Sequence, residues 1–228
     1  MFEETHDAVV AWGWAAEILG EFNSARYYFA PETLLSAYKS DNSFSFTVKG
    51  EHYYGHTYGL TPYLDPRWTK VAVEGMKPDA ILNLKRRYGF EFWGIRTAAT
   101  GAPLEILTDM HEVSAILDEH APESSVRPGG SEEIFWGGVR NAQGELASIA
   151  VLVKWQSGMH VMASVVTRRE DRGQGLATKL SAGIAAYAHS LGIDEVGLGV
   201  RDINYAAQKA YAKAGYSRLG AFTNYFLE

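Results

Sequence analysis

The stretch that most limits how this chain can fold lies at residues 160–192. A strand-like run, 160–168, leads into Arg172-Gly173-Gln174-Gly175-Leu176-Ala177, and a long helix-forming segment follows that stops at Gly192. Closely spaced glycines let the backbone turn so that several N–H groups face one point. A helix N-terminus placed there adds partial positive charge, which suits the segment to a pyrophosphate group. Arg172 can add a charge-assisted hydrogen bond. Two other glycine-rich loops fail on residues. A mononucleotide loop closes with Gly-Lys-Ser/Thr, which the chain lacks, and a dinucleotide fingerprint wants a third glycine where Thr178 stands. Thr178 can still hydrogen-bond near phosphates. Taken alone, the loop also reads as a plain strand-to-helix turn with incidental glycines.

The elements around this loop are legible. Residues 103–107 predict a strand. Asp109 and Glu112 have the spacing of a capping box, and Met110, Val113, Ile116 and Leu117 give the following helix one apolar face. His120-Ala121-Pro122 stops that helix. Residues 133–140 and 145–155 predict two strands joined by the turn at Asn141–Gly144, hence an antiparallel hairpin, and 160–168 a third strand after Gly158. A helix at 175–191 capped by Gly192, a strand at 196–200, a helix at 204–214 ended by Gly215 and strands at 216–219 and 222–227 complete the pattern.

The first hundred residues read less clearly and carry most of the aromatic residues. Val10, Trp14 and Ile18 place a helix over 7–22. Pro31-Glu32-Thr33 looks like a second helix start. Residues 44–48 alternate like a strand, 78–87 suggest a helix and 90–95 a strand. The loop-like Ala98-Ala99-Thr100-Gly101-Ala102-Pro103 suggests a boundary, dividing the chain into an N-terminal α+β region, 1–98, and a regular α/β domain, 99–228.

Composition excludes some chemistries. With no cysteine, the chain has no disulfide, no thiol nucleophile and no thiolate metal site, which fits a reducing cytoplasm. The start Met1-Phe2-Glu3-Glu4 is acidic where a secretory leader is basic, and no run of about eighteen apolar residues would span a membrane. A formal net charge of −6 disfavours nucleic-acid phosphate. That charge serves solubility first, and it gives a weak pull toward a cationic acceptor.

The segment from Val165 to Ala177 resembles the GNAT superfamily of acyl-CoA-dependent N-acetyltransferases. The family carries Gln/Arg-x-x-Gly-x-Gly/Ala between a strand and a helix, and Arg172, Gly175 and Ala177 match it. A second family pattern, Asn-x-x-Ala-x-x-x-Tyr followed by Gly and an aromatic residue, is met by Asn204, Ala207, Tyr211, Gly215 and Tyr216 in the expected order.

The resemblance implies a three-layer α/β/α fold around a mixed, mostly antiparallel sheet over the second half of the chain. It implies acetyl-CoA as cosubstrate, bound by Val166, Thr167, Arg168, Arg172, Gly173, Gln174, Gly175, Leu176, Ala177, Thr178, Asn204 and Ala207. It further implies Tyr211 as the acid that protonates the leaving thiolate, a role a phenol suits. The alternative reading of Tyr211 is a buried ring bridging helix and sheet. In such folds the strand before the loop splays from its parallel neighbour, and the opened backbone at Val165–Thr167 polarises the thioester carbonyl.

No general base stands out. Glu132 and Glu133 at a strand start can face an acceptor channel or simply meet solvent. His160, Glu170 and Asp171 read as structural or solvated. His52 and His56 lack a third ligand at metal spacing. The expected activity is direct acetyl transfer to an amine of unspecified identity in a ternary complex, without a membrane or nucleic-acid partner. Two further readings are a non-catalytic acyl-CoA sensor and an interaction protein docking through residues 1–98. That region either packs on the second half, shaping the acceptor site, or is a reduced copy of it.

Overall fold

The computed structural model describes residues 1–50, 53–74 and 85–227. The first half runs β1 (Glu3–Thr5), α1 (Ala8–Leu19), a 3-10 turn (Ala25–Tyr27), β2 (Leu34–Ser40), β3 (Ser43–Lys49), β4 (Tyr53–Gly59), β5 (Lys70–Val73) and β6 (Lys85–Arg96). The second runs β7 (Glu105–Leu107), α2 (Met110–His120), β8 (Glu133–Arg140), β9 (Leu146–Lys154), β10 (His160–Thr167), a 3-10 turn (Arg169–Asp171), α3 (Leu176–Ser190), β11 (Glu195–Arg201), α4 (Tyr205–Lys213) and β12 (Ser217–Phe226).

All these strands form one sheet in the order β1-β2-β3-β4-β5-β12-β6-β11-β10-β9-β8-β7. The order is a palindrome in which each strand of the first half mirrors the strand six places later. Neighbours are antiparallel except β4 with β5 and β10 with β11, which occupy mirrored places. The last strands are exchanged: β12 lies between β5 and β6, and β6 between β12 and β11. The halves are thus two copies of one topology sharing a continuous sheet. They differ at the mirrored crossovers, because α3 links β10 to β11 whereas residues 60–69 link β4 to β5 without a helix.

Side-chain alternation builds three layers. In β9, Ile149, Val151 and Val153 face a core shared with α1 and α2, whereas Ala150 and Leu152 face a core shared with α3 and α4. A strand buried on both faces reads as a continuous apolar run, and residues 146–153 are all buried. The helices start where their caps stand. Asp7 accepts from Val9 N at 2.8 Å, and Asp109 from His111 N at 2.9 Å. Ala8, Ala11 and Ala15 let α1 approach the sheet closely.

Three local expectations are corrected. Residues 31–33 do not open a helix. The Thr33 hydroxyl accepts from Ala30 N at 2.9 Å and closes a turn that delivers the chain into β2. The expected strands at 216–219 and 222–227 are one strand, β12, with a register shift between Arg218 and Gly220. The helix expected over 78–87 falls largely outside the described residues, and from Lys85 the chain is strand.

Candidate functional site

The site is organised by an irregularity in β10. Its pairing with β9 slips between Ala163 and Val166, and its parallel pairing with β11 is confined to Val161 opposite Gly197. Ser164 sits in the bulge at φ +48°, a backbone state that costs a non-glycine residue roughly 1–2 kcal/mol. Two hydrogen bonds offset that cost. The Ser164 hydroxyl donates to the Val126 carbonyl at 2.8 Å and meets the Ser124 hydroxyl at 2.6 Å. Beyond the bulge β10 keeps to β9, so the backbone of Val165–Thr167 on the β11 side has no strand partner among the described residues. The mirrored pair β4 and β5 stays zipped over Tyr54–Thr57. Trp68, from the link that replaces the helix, packs over Gly55 and donates to Thr47 Oγ1 at 2.8 Å. Of the two mirrored parallel pairs, β10 and β11 open a gap whereas β4 and β5 do not.

The chain then enters the glycine loop. Gly173 and Gly175 have φ of +83° and +76°, and a Cβ added at either meets nothing within 4 Å, so the space above the loop is open. Gly175 is the N-cap of α3, and no side chain caps the helix, which leaves its first N–H groups directed at that space. Arg172 Nε reaches back to the Thr167 carbonyl at 3.3 Å. The loop's outer side is pinned: Asp171 is buried and accepts from Asn141 Nδ2 at 3.1 Å, and Arg168 pairs with Glu145, Glu170 and Asp171.

Splayed strand, loop and α4 enclose a cleft of about 560 Å³. Of the residues expected to hold the cofactor, Val166, Thr167, Arg172, Gly173, Gly175, Leu176, Ala177, Thr178, Asn204 and Ala207 line it, and Tyr211 lines it too. Arg168 and Gln174 do not. Asn204 serves as the N-cap of α4, its Oδ1 accepting from Ala207 N at 3.2 Å. Thr178 donates to the Ala210 carbonyl at 3.3 Å, joining α3 to α4. The Tyr211 ring is buried beside Tyr216, and burial alone holds its phenol well above the ordinary range, so it stays protonated. Among the described residues its hydroxyl has no hydrogen-bond partner.

A second cavity, of about 370 Å³, lies where the halves meet. Tyr28 and Val48 come from the first half, Val126, Glu132, Glu133 and Trp155 from the second. The loop after α2 connects the two spaces: His120, Ala121 and Glu123 line the cleft, Val126 lines the cavity, and the Ser164 bulge is bonded to its middle. Glu133 accepts from Gly130 N at 3.0 Å and shapes the turn at the rim, whereas the Glu132 carboxylate has no partner among the described residues. His160 stands apart, lining neither space, and burial lowers its pKa. Glu170 lies in the pinned loop. No cluster of three or more potential metal ligands occurs among the described residues. His52 is outside them, and His56 sits on strand β4.

Ser164, Trp155 and His120 were not legible as site residues, whereas Tyr28 belongs to the early aromatic cluster that could line an acceptor pocket or serve as core. A bulge leaves no pattern in one sequence, and Trp155 meets Tyr28 because the two halves fold together. His120 was visible as a helix stop, but nothing in the sequence showed that its ring, 5 % exposed, lines the cleft.

Residues 104–216 match the model of the acetyltransferase (GNAT) family. Several solved structures share the fold along nearly the whole chain. A GCN5-related N-acetyltransferase from Sphaerobacter thermophilus has a TM-score of 0.61 at 14% identity, covering 98% of this chain and 94% of that one. A GNAT-family acetyltransferase from Colwellia psychrerythraea has a TM-score of 0.55 at 12% identity, covering 100% of each chain. A GCN5-related N-acetyltransferase from Kribbella flavida has a TM-score of 0.55 at 13% identity, covering 96% and 94%. No curated protein matches.

Proposed function

Because residues 104–216 of this chain belong to the acetyltransferase (GNAT) family, we propose that it moves an acetyl group from acetyl-CoA to an amine by direct attack in a ternary complex. The observation that carries this reading is the single cleft in which the open glycine loop, the splayed backbone of Val165–Thr167 and the Tyr211 phenol all meet. The loop N–H groups at the start of α3 hold the pyrophosphate. The N–H and C=O groups at the end of β10 that lack a strand partner on the β11 side bind the pantetheine arm and polarise the thioester carbonyl.

The acceptor enters through the cavity between the halves, on the side of the loop bonded to Ser164. Its nitrogen attacks the carbonyl carbon, and the carbon–sulfur bond breaks. Tyr211 gives its proton to the departing thiolate sulfur and regains one from solvent. The amine's proton leaves by way of water to Glu132 at the rim. With no cysteine in the sequence, a thioester on the enzyme is not an available intermediate. Residues 1–98 complete the acceptor cavity in this reading, and residues 99–228 hold the cofactor. A cytoplasmic setting is part of this reading, and the absence of cysteine fits it.

Calorimetric titration of acetyl-CoA tests the reading, with the variant Arg172→Ala, Gly175→Glu alongside and free CoA release measured over an amine panel. Binding by the parent protein only, with CoA released by some amines, supports transfer. Binding without release for any amine favours the sensor reading. No binding by the folded parent protein ends both.

A further inference from the structure

Beyond the cavity at the rim lies a deeper chamber of about 270 Å³. Tyr28 and Val48 line both spaces, so the chamber continues the cavity inward along the seam between the halves. Its polar lining comes from four strands: His56 of β4, Lys70 of β5, Tyr88 of β6 and Asn224 of β12. Tyr54 and Phe90 add aromatic wall.

Three lining residues carry a buried polar atom with no partner among the described residues, namely the Tyr28 hydroxyl, His56 Nδ1 and Asn224 Nδ2. A buried polar atom left unpaired costs about 1–3 kcal/mol, and three around one chamber point to a polar occupant. The sign of the occupant follows from charge. Among the described residues Lys70 pairs with no carboxylate. Its ammonium donates to the Tyr88 hydroxyl at 3.4 Å and lies 5.7 Å from the centres of the Tyr54 and Tyr88 rings. Arg201 lies over the Tyr88 ring at 5.3 Å. His56 is neutral, because burial and then Lys70 push its pKa down to about 3. The half-buried carboxylate nearby, Glu74, accepts from Ala221 N at 3.3 Å.

One ammonium with neutral donors matches a single negative charge, and a flat anion such as a carboxylate fits between rings. Tyr28 lies over the His56 ring at 4.5 Å, so the passage into the chamber is faced with flat groups. We propose that this chamber is the remote end of the acceptor site and receives a carboxylate carried on a planar body, so that the acceptor is an amine that also bears a carboxylate. The role in acceptance rests on acetyl transfer as read above; the chamber's affinity for a carboxylate does not.

Benzoate titrated calorimetrically into the full chain, without acetyl-CoA, tests the chamber alone. We expect benzoate to bind and benzamide to bind roughly tenfold to a hundredfold more weakly. Lys70→Gln should weaken benzoate by a similar factor, and Lys70→Arg should retain most of the affinity. Equal binding of benzoate and benzamide, or no benzoate binding by the folded protein, overturns the proposal, and that contrast needs no variant to fold. For acceptance, kcat/KM for 4-(aminomethyl)benzoate should exceed that for benzylamine, and Lys70→Gln should remove the difference. Equal kcat/KM values overturn the acceptor role. Benzoate binding in a protein that fails to bind acetyl-CoA would leave the chamber standing and remove the transferase reading.

Discussion

The Ser164 hydroxyl donates to the Val126 carbonyl at 2.8 Å, and that bond fastens the bulge of β10 to the loop walling the cavity between the halves. The bulge opens the gap beside β11, and the loop borders the cavity between the halves, so one residue joins the cleft to the cavity. Ser164→Ala leaves the Val126 carbonyl short of a donor and keeps the φ of +48°. The expected cost is about 1–2 kcal/mol in denaturant unfolding. In kinetics the acceptor KM should rise more than the dissociation constant for acetyl-CoA, since the glycine loop is untouched.

Tyr211→Phe separates packing from chemistry. The ring is buried and its hydroxyl has no protein hydrogen bond among the described residues, so the variant should unfold within roughly 0.5 kcal/mol of the parent protein. The acetyl-CoA affinity should be unchanged. Loss of the acid should lower kcat about 100-fold or more, read as the rate of free CoA release. An unchanged kcat would leave Tyr211 as a packing residue only.

Gly175→Ala probes the loop backbone without adding a clash, because a Cβ there meets nothing within 4 Å. An alanine held at φ +76° costs roughly 1–2 kcal/mol, which the loop can shed by moving its N–H groups out of alignment. Acetyl-CoA affinity should fall accordingly. Gly175→Asn should fall less, since asparagine tolerates left-handed backbone better. Calorimetry on both variants gives the comparison.

His56 predicts a pH dependence of stability. Its folded pKa of about 3 lies below the ordinary 6.5, with burial the main cause. Between those values the unfolded chain binds a proton that the folded protein does not, so stability falls as pH drops through this window and is complete above it. The slope approaches one proton, about 1.4 kcal/mol per pH unit. His56→Phe should flatten that part of the unfolding profile, measured from pH 7 to 4, and a profile unchanged by the substitution would show that His56 does not set it.

Much of the second half was legible because its signals are local. Asp109 caps α2 through its own neighbours, and Gly192 at φ +76° ends α3 where a glycine was expected to. The two motifs, Arg172–Ala177 and Asn204–Tyr216, fixed which loop and which helix would face each other. Arg168 shows the limit of that reasoning. It stands next to the loop in sequence, yet its guanidinium is drawn to Glu145 and Glu170, partners that only the hairpin and the turn bring near.

The first half shows the opposite balance. Its strands carry mixed aromatic and polar residues, such as Tyr54, His56 and Tyr58 on β4, whose alternation depends on which sheet face is buried. Here both faces are covered and the last strands of the halves change places, so β6 lies against β11. Exchange of strands sets no local preference and so leaves no trace in periodicity. The sequence by itself pointed to the glycine loop, the helix that follows it and most of the expected residues that line the cleft, whereas Arg168, Gln174 and His120 went otherwise. Tertiary structure alone decided the gap beside β10, the cavity at the seam and the company that Lys70, His56 and Asn224 keep, because those depend on strands distant in sequence being held side by side.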